Sequence, residues 1–328
     1  MKDRTRGILV GLAIGDALGA PVEFIPAPSD VHIREMGDKI AHFRKNYRVP
    51  EGVWTDDTEM ALCIADSLIE KRGYDSYDIM RRFCAWAYEG YRTYDGRPAA
   101  DIGVQTMNAI QDFAEYPVIP KGSIKTDSAG NGAIMRLAPI IIANSNIEQI
   151  LKMAELSCRE THDSIAACAV TELFASSVYL ALQDNDKDYI VVHCAELVTD
   201  EKYGKFIATN HDILFERSLD STGKKLCNLG GYIVDAFAIT LWGLLNFNSF
   251  EDGMLAVLRL GGDTDTNGAI YGQLAGAYYG HESIPGEWRN GVYKADELVE
   301  MADKLLGIRG CPIIRTRFED DEYFKEIG

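Results

Sequence analysis

The chain has 328 residues, 47% hydrophobic and 25% charged, with a formal net charge of −17. Such a composition belongs to an ordinary soluble globular protein and excludes a largely disordered one, while the charge argues against a general nucleic-acid or anionic-membrane surface but leaves room for a local phosphate pocket. Seven scattered cysteines, an odd number, fit reduced thiols, most of them small core residues, in a cytoplasmic protein.

At the N-terminus, Lys2, Arg4 and Arg6 precede the apolar run from Ile8 to Ile14, which imitates a secretory signal. Asp16 interrupts the run, and Gly7, Gly11, Gly15 and Gly19 recur every four residues along one helical face. The expectation is therefore a buried helix of the folded protein and not a leader. The same spacing returns at Gly268, Gly272, Gly276 and Gly280. A glycine inside a helix costs about 1 kcal/mol relative to alanine, so two such stripes predict two buried helices whose backbones approach closely.

Between the stripes, Ala61, Leu62, Ile64, Ala65, Leu68 and Ile69 have helical periodicity, as do Val170, Leu173, Phe174 and Ala181. Tyr189 to Leu197 suits helix or strand, and the apolar run from Tyr116 to Pro120 is broken by proline. Turns are expected at Tyr94–Pro98, Gly130–Gly132 and Ser221–Gly223, none long enough for a linker. The longest uncharged apolar stretch, around Ala236 to Phe247, is shorter than the roughly 20 residues of a membrane span. A mainly α-helical single domain over residues 1–328 follows.

Thr55-Asp56-Asp57-Thr58 and Asp263-Thr264-Asp265-Thr266 each stand where loop gives way to helix. Carboxylates and hydroxyls are hard oxygen ligands that suit Mg²⁺, Ca²⁺ or Mn²⁺, and neither cluster offers the histidine or cysteine that zinc prefers. Helix capping is the competing explanation, with Asp56 and Glu59 imitating a capping box. Two clusters shift the balance, because carboxylates crowded into one turn repel unless a cation or hydrogen bonds compensate them. Gly130-Asn131-Gly132 ahead of a helical stretch from Ala133 to Leu137 is either a tight turn or an anion seat at a helix start. His162 and Ser128 have equally plain readings, a polar residue at a helix start and a helix cap.

The segment from Gly11 to Phe24 (GLAIGDALGAPVEF), followed by Trp54-Thr55-Asp56-Asp57-Thr58, resembles the ADP-ribosylglycohydrolase family. Gly130-Asn131-Gly132-Ala133-Ile134-Met135-Arg136, Thr161-His162 and the run from Gly261 to Ile270 stand in that family's order, so the resemblance covers nearly the whole chain, nearest the bacterial dinitrogenase-reductase-activating branch that removes ADP-ribose from arginine. It implies an all-α fold, a many-helix orthogonal bundle with a central metal-containing cleft holding two Mg²⁺ or Mn²⁺ ions. Carried over by motif, Thr55, Asp56 and Asp57 ligate one ion, Asp263 and Thr266 the other, and Asp265 approaches both. Glu23 is the expected carboxylate at the scissile bond, with Asp101 a second near the departing side chain and Asp57 and Asp265 at the reacting centre. Gly103, Ser128, Gly130, Asn131, Gly132 and His162 are implied as substrate contacts, and Tyr232 as a residue stacking on the adenosine end or packing in the core. The implied activity is hydrolysis of the glycosidic bond between ADP-ribose and a protein side chain, arginine before serine, with an ADP-ribosylated protein as partner and ADP-ribose as product. Another ADP-ribose conjugate (serine-linked, O-acetyl or polymer) is the alternative substrate, and a non-catalytic ADP-ribose-binding or toxin-immunity module the alternative class.

Overall fold

The computed structural model describes residues 1–25, 29, 33, 50–117, 129–223, 226 and 230–316. Among the described residues fifteen α-helices account for nearly all regular structure. They are α1 (Lys2–Gly19), α2 (Asp56–Lys71), α3 (Ser76–Glu89), α4 (Val104–Glu115), α5 (Ala138–Ile142), α6 (Ile147–Thr161), α7 (Ile165–Leu182) and α8 (Lys187–His193). After these come α9 (Glu201–Thr209), α10 (His211–Leu214), α11 (Ile233–Asn246), α12 (Phe250–Arg259), α13 (Thr264–Tyr279), α14 (Gly286–Gly291) and α15 (Ala295–Gly307). Strand pairing among the described residues is limited to a short parallel ribbon, β1 (Tyr74–Asp75) with β2 (Ile313–Arg315), and one antiparallel bridge between Gly130 and Tyr232. The fold is all-α. The ambiguous stretch from Tyr189 is helical, in α8 and the 3₁₀ turn Cys194–Leu197 that follows.

The glycine stripes explain how distant parts of the chain meet. Helices α1 and α13 run antiparallel with their stripes facing. A Cβ added at Gly7, Gly11 or Gly15 would stand 2.3, 2.3 or 2.0 Å from the carbonyl oxygens of Gly276, Gly272 or Gly268, and one at Gly19 would stand 2.3 Å from that of Thr264. No side chain fits there. Gly280 departs from the expectation: it lies beyond the end of α13 at φ 85°, closing the helix as a turn.

Two helical segments, Lys2–Val22 and Ile165–Leu182, do reach the length and hydropathy of a membrane span, contrary to the limit set by the Ala236 to Phe247 run, but 94% and 89% of those windows are buried inside the protein. They are core helices, and their apolar character is spent on packing. Cys63, Cys158, Cys168, Cys194 and Cys311 are buried free thiols, Cys84 is half-buried, and Cys227 lies outside the described residues.

Candidate active site

Both acid clusters begin helices, as expected, but neither caps its own. Thr55 and Asp263 occupy the N-cap positions of α2 and α13 without a side-chain capping bond. The missing bonds on α2 come from another helix. Asp16, fully buried on α1, accepts at one oxygen from the Thr55 N–H (2.8 Å) and hydroxyl (2.8 Å), and at the other from the Thr58 N–H (3.0 Å) and hydroxyl (2.6 Å). One carboxylate thus satisfies the first turn of α2, and the acids between the two threonines are released from that task. The imitation of a capping box fails for the same reason: Glu59 accepts from the Trp86 indole at 2.6 Å instead.

The second cluster is set by its own glycines. Gly261 and Gly262, at φ 77° and 78°, make the left-handed turn that only glycine adopts freely, and the Gly262 carbonyl accepts from Phe24 N–H (2.6 Å) and Thr264 N–H (3.0 Å). The Thr264 hydroxyl donates to the Gly19 carbonyl at 2.8 Å, tying the cluster to the end of α1. Glu23 follows that end directly. Its carboxylate and those of Asp263 and Asp265 are all buried and have ligand atoms within 4.8 Å of one another.

A cavity of about 320 Å³ opens over this group. Glu23, Asp56, Asp101, Asp263, Asp265 and Thr266 line it, as do Gly103, Gly130, Asn131, Gly132 and His162. Thr55 and Asp57 lie beneath the lining, with Asp57 fully buried and its Oδ1 lacking any hydrogen-bond partner. Tyr232 sits outside the lining, at the N-cap of α11 on the bridge to Gly130. Ser128 lies outside the described residues.

Several local readings change. The stretch from Ala133 to Leu137 is not a helix: Asn131–Ala133 form one 3₁₀ turn, and α5 begins only at Ala138, where Pro139 suits a first helical turn. An extended helix dipole is therefore missing from the loop. Asn131 is partly committed, since its N–H donates to the Gly231 carbonyl at 3.0 Å and its side-chain amide to Asp263 Oδ2 at 2.8 Å. Gly231, at φ 85°, lies close behind the same oxygen, 3.1 Å from where its Cβ would be. His162 ends α6 and starts no helix; Ser164 caps α7.

Electrostatics follow from burial. Asp57 and Asp265 are pushed well above the usual carboxylate range, first by desolvation and then by neighbouring acids, Asp16 foremost for Asp57 and Glu23 for Asp265. Asp56 keeps some surface in the cavity yet is surrounded by protein, and it moves the same way through desolvation and Asp101. Desolvation lifts Asp16 to about 6 despite its four hydrogen bonds, and Glu59 to about 8. Crowded buried acids of this kind either retain protons or receive a cation. The all-oxygen donor set, the unpartnered Asp57 Oδ1 and the converging carboxylates fit a hard divalent cation.

The structure adds Asp16, Gln105 and Phe24 to the site residues expected from sequence. Gln105 accepts from the Gly130 N–H at 3.2 Å, and Phe24 forms part of the cavity mouth.

A sequence model described as ADP-ribosylglycohydrolase matches residues 1–312. The chain belongs to the ADP-ribosylglycohydrolase family. It is 31% identical to ADP-ribosylarginine hydrolase Tri1 of Pseudomonas putida (strain GB-1) over 93% of this chain and 78% of that protein. It is 29% identical to ADP-ribosyl-[dinitrogen reductase] glycohydrolase of Rhodospirillum rubrum over 94% of this chain and 98% of that one. A solved structure of an ADP-ribosylglycohydrolase-related protein complex superposes with a TM-score of 0.72 at 33% identity, over 94% of this chain and 98% of its own. As a member of this family, the chain is a hydrolase of ADP-ribose glycosidic bonds.

Proposed function

We propose that this hydrolase removes mono-ADP-ribose from arginine side chains of proteins, in the cytoplasm, as a single domain over residues 1–328 that uses two Mg²⁺ or Mn²⁺ ions. The observation that carries the reading is the meeting of Glu23, Asp263 and Asp265 on the cavity bordered by Gly130–Gly132. Thr55, Asp56 and Asp57 would hold one ion and Asp263 and Thr266 the other, with Asp265 available to both. The bound ions supply Lewis acidity, orienting ribose hydroxyls and easing ionisation of water.

Hydrolysis at the anomeric carbon passes through a state of oxocarbenium character, which buried carboxylates stabilise. Glu23 accepts the proton of the attacking water as its oxygen bonds to the anomeric carbon. The carbon–nitrogen bond breaks with its electron pair going to nitrogen, the proton taken up by Glu23 is passed to that nitrogen, and the side chain leaves as a guanidinium past Asp101, which is exposed at the mouth. A cationic leaving group suits that acidic mouth better than a neutral serine hydroxyl does, and the name of the Pseudomonas relative agrees. Gly103, Gly130, Asn131, Gly132 and His162 contact the ADP-ribose, with Ser128 assigned beside them and Tyr232 toward the adenosine.

Peptides ADP-ribosylated on arginine or serine, together with O-acetyl-ADP-ribose and the polymer, incubated with enzyme and Mg²⁺ and followed by mass spectrometry, test this. The expected result is fastest release from arginine. Faster release from serine would overturn the assignment, and tight binding without turnover would support the binding-module class.

A further inference from the structure

A chain of buried side chains behind the Gly130–Gly132 loop has no part in the reaction just described. Arg136 is fully buried, its guanidinium carbon lies 4.9 Å from the centre of the Phe83 ring, and one amino group donates to the Ser157 carbonyl (2.9 Å) and to the Thr161 hydroxyl (2.7 Å). Glu160, which accepts from the Tyr74 hydroxyl at 2.8 Å, is the nearest balancing carboxylate. A guanidinium has no acceptor atom. The Thr161 oxygen therefore accepts from Arg136, which leaves the hydroxyl proton available to its other partner, His162 Nδ1, at 2.7 Å.

Donation of that proton to Nδ1 would set the tautomer of the imidazole. A neutral ring that accepts at Nδ1 carries its proton at Nε2. The charged ring is disfavoured, because burial and the Arg136 charge hold His162 down at about 3. His162 lines the cavity, and its outer edge lies against the glycine loop, so that a Cβ at Gly130 would come within 3.1 Å of Nε2 and one at Gly132 within 3.0 Å of Cε1. Both glycines leave room for this edge.

We propose that Arg136 and Thr161 are positioning residues that lock His162 as a neutral Nε2–H donor toward the diphosphate of bound ADP-ribose. Diphosphate oxygens only accept hydrogen bonds, so the opposite tautomer would turn a lone pair toward them. The inference rests on the reading that this cavity holds ADP-ribose.

Imidazole ¹⁵N spectra of the full, Mg²⁺-loaded chain, read beside ADP-ribose titration calorimetry, test it in wild type, Thr161→Val and Thr161→Ser. Wild type and T161S are expected to show the Nε2–H tautomer and similar affinity. T161V, which keeps side-chain shape but loses the relay, is expected to show mixed tautomers and about tenfold weaker ADP-ribose binding, the loss of roughly one hydrogen bond. An Nδ1–H tautomer or an imidazolium in wild type, or a T161V protein unchanged in both readouts, would overturn the relay. Failure of wild type to bind ADP-ribose would overturn the functional reading and with it the diphosphate as target, whereas the tautomer spectrum judges the relay separately.

Discussion

The floor of the cleft and its rim are built on opposite terms. On the floor, Asp57, Asp263 and Asp265 are no more than 9% exposed and start helices held by the α1–α13 seam, by Asp16 and by Asn131. At the rim, Asp101 and Gly103 are exposed, Phe24 is 53% exposed and Val104 77%. The contrast teaches where each part of the reaction is decided. Under the proposed function, the groups assigned to the ribose are fixed by close backbone packing, while those assigned to the leaving side chain stand on exposed chain, where a substitution need not disturb the floor.

The sharpest way to break this contrast is at the floor. Asp265→Asn is expected to lower ADP-ribose release by on the order of 10³-fold with an unchanged helical circular dichroism spectrum; retained turnover would remove Asp265 from the chemistry. Next comes the seam. Gly15→Val places a side chain where the Gly268 carbonyl stands 2.0 Å away, so thermal and urea unfolding should register a loss of about 3 kcal/mol, at the upper end of core overpacking, and cation affinity should fall with it.

A third test uses pH. Asp16, Asp56, Asp57, Glu59 and Asp265 all have raised affinities for protons in the fold. The folded, cation-free protein then binds more protons than the unfolded chain, and its stability falls as pH rises above the ordinary carboxylate range of about 4. The fall continues through the Asp16 and Glu59 values of about 6 and about 8. Melting with EDTA should drop between about pH 5 and about pH 8, and the gain from Mg²⁺ should grow over the same interval as cation replaces proton. A gain independent of pH would detach the cation from these acids.

The smallest effect belongs to the rim. Asp101→Asn is expected to slow release from arginine peptides by about tenfold while leaving cation affinity and melting temperature unchanged; a loss of cation affinity would make Asp101 part of the floor.

The features legible in the sequence are those with a local signature. Glycine every fourth residue announced α1 and α13, and the acid-threonine runs announced the starts of α2 and α13, because each signal lies within one or two helical turns. Long-range pairings left no such trace. Asp16 lies 39 residues from Thr55, and Asn131 lies 132 from Asp263, so neither clasp follows from spacing, and Asp16 read only as a break in an apolar run. The helix expected after Gly132 stops at a single 3₁₀ turn, with Asn131 tied across to the Gly231 carbonyl and to Asp263. Distance along the chain hid the groups that orient the acids while the acids themselves were plain.

Under the proposed function, the α1–α13 seam brings the two acid clusters together so that they would hold the divalent cations used in the hydrolysis. Anomalous diffraction from crystals grown with Mn²⁺ tests it most directly. Two manganese peaks are expected, one contacted by Asp56 and Asp57, the other by Asp263 and Thr266, with Asp265 reaching both. Manganese absent from these residues in crystals of a protein that still releases ADP-ribose in EDTA would contradict it.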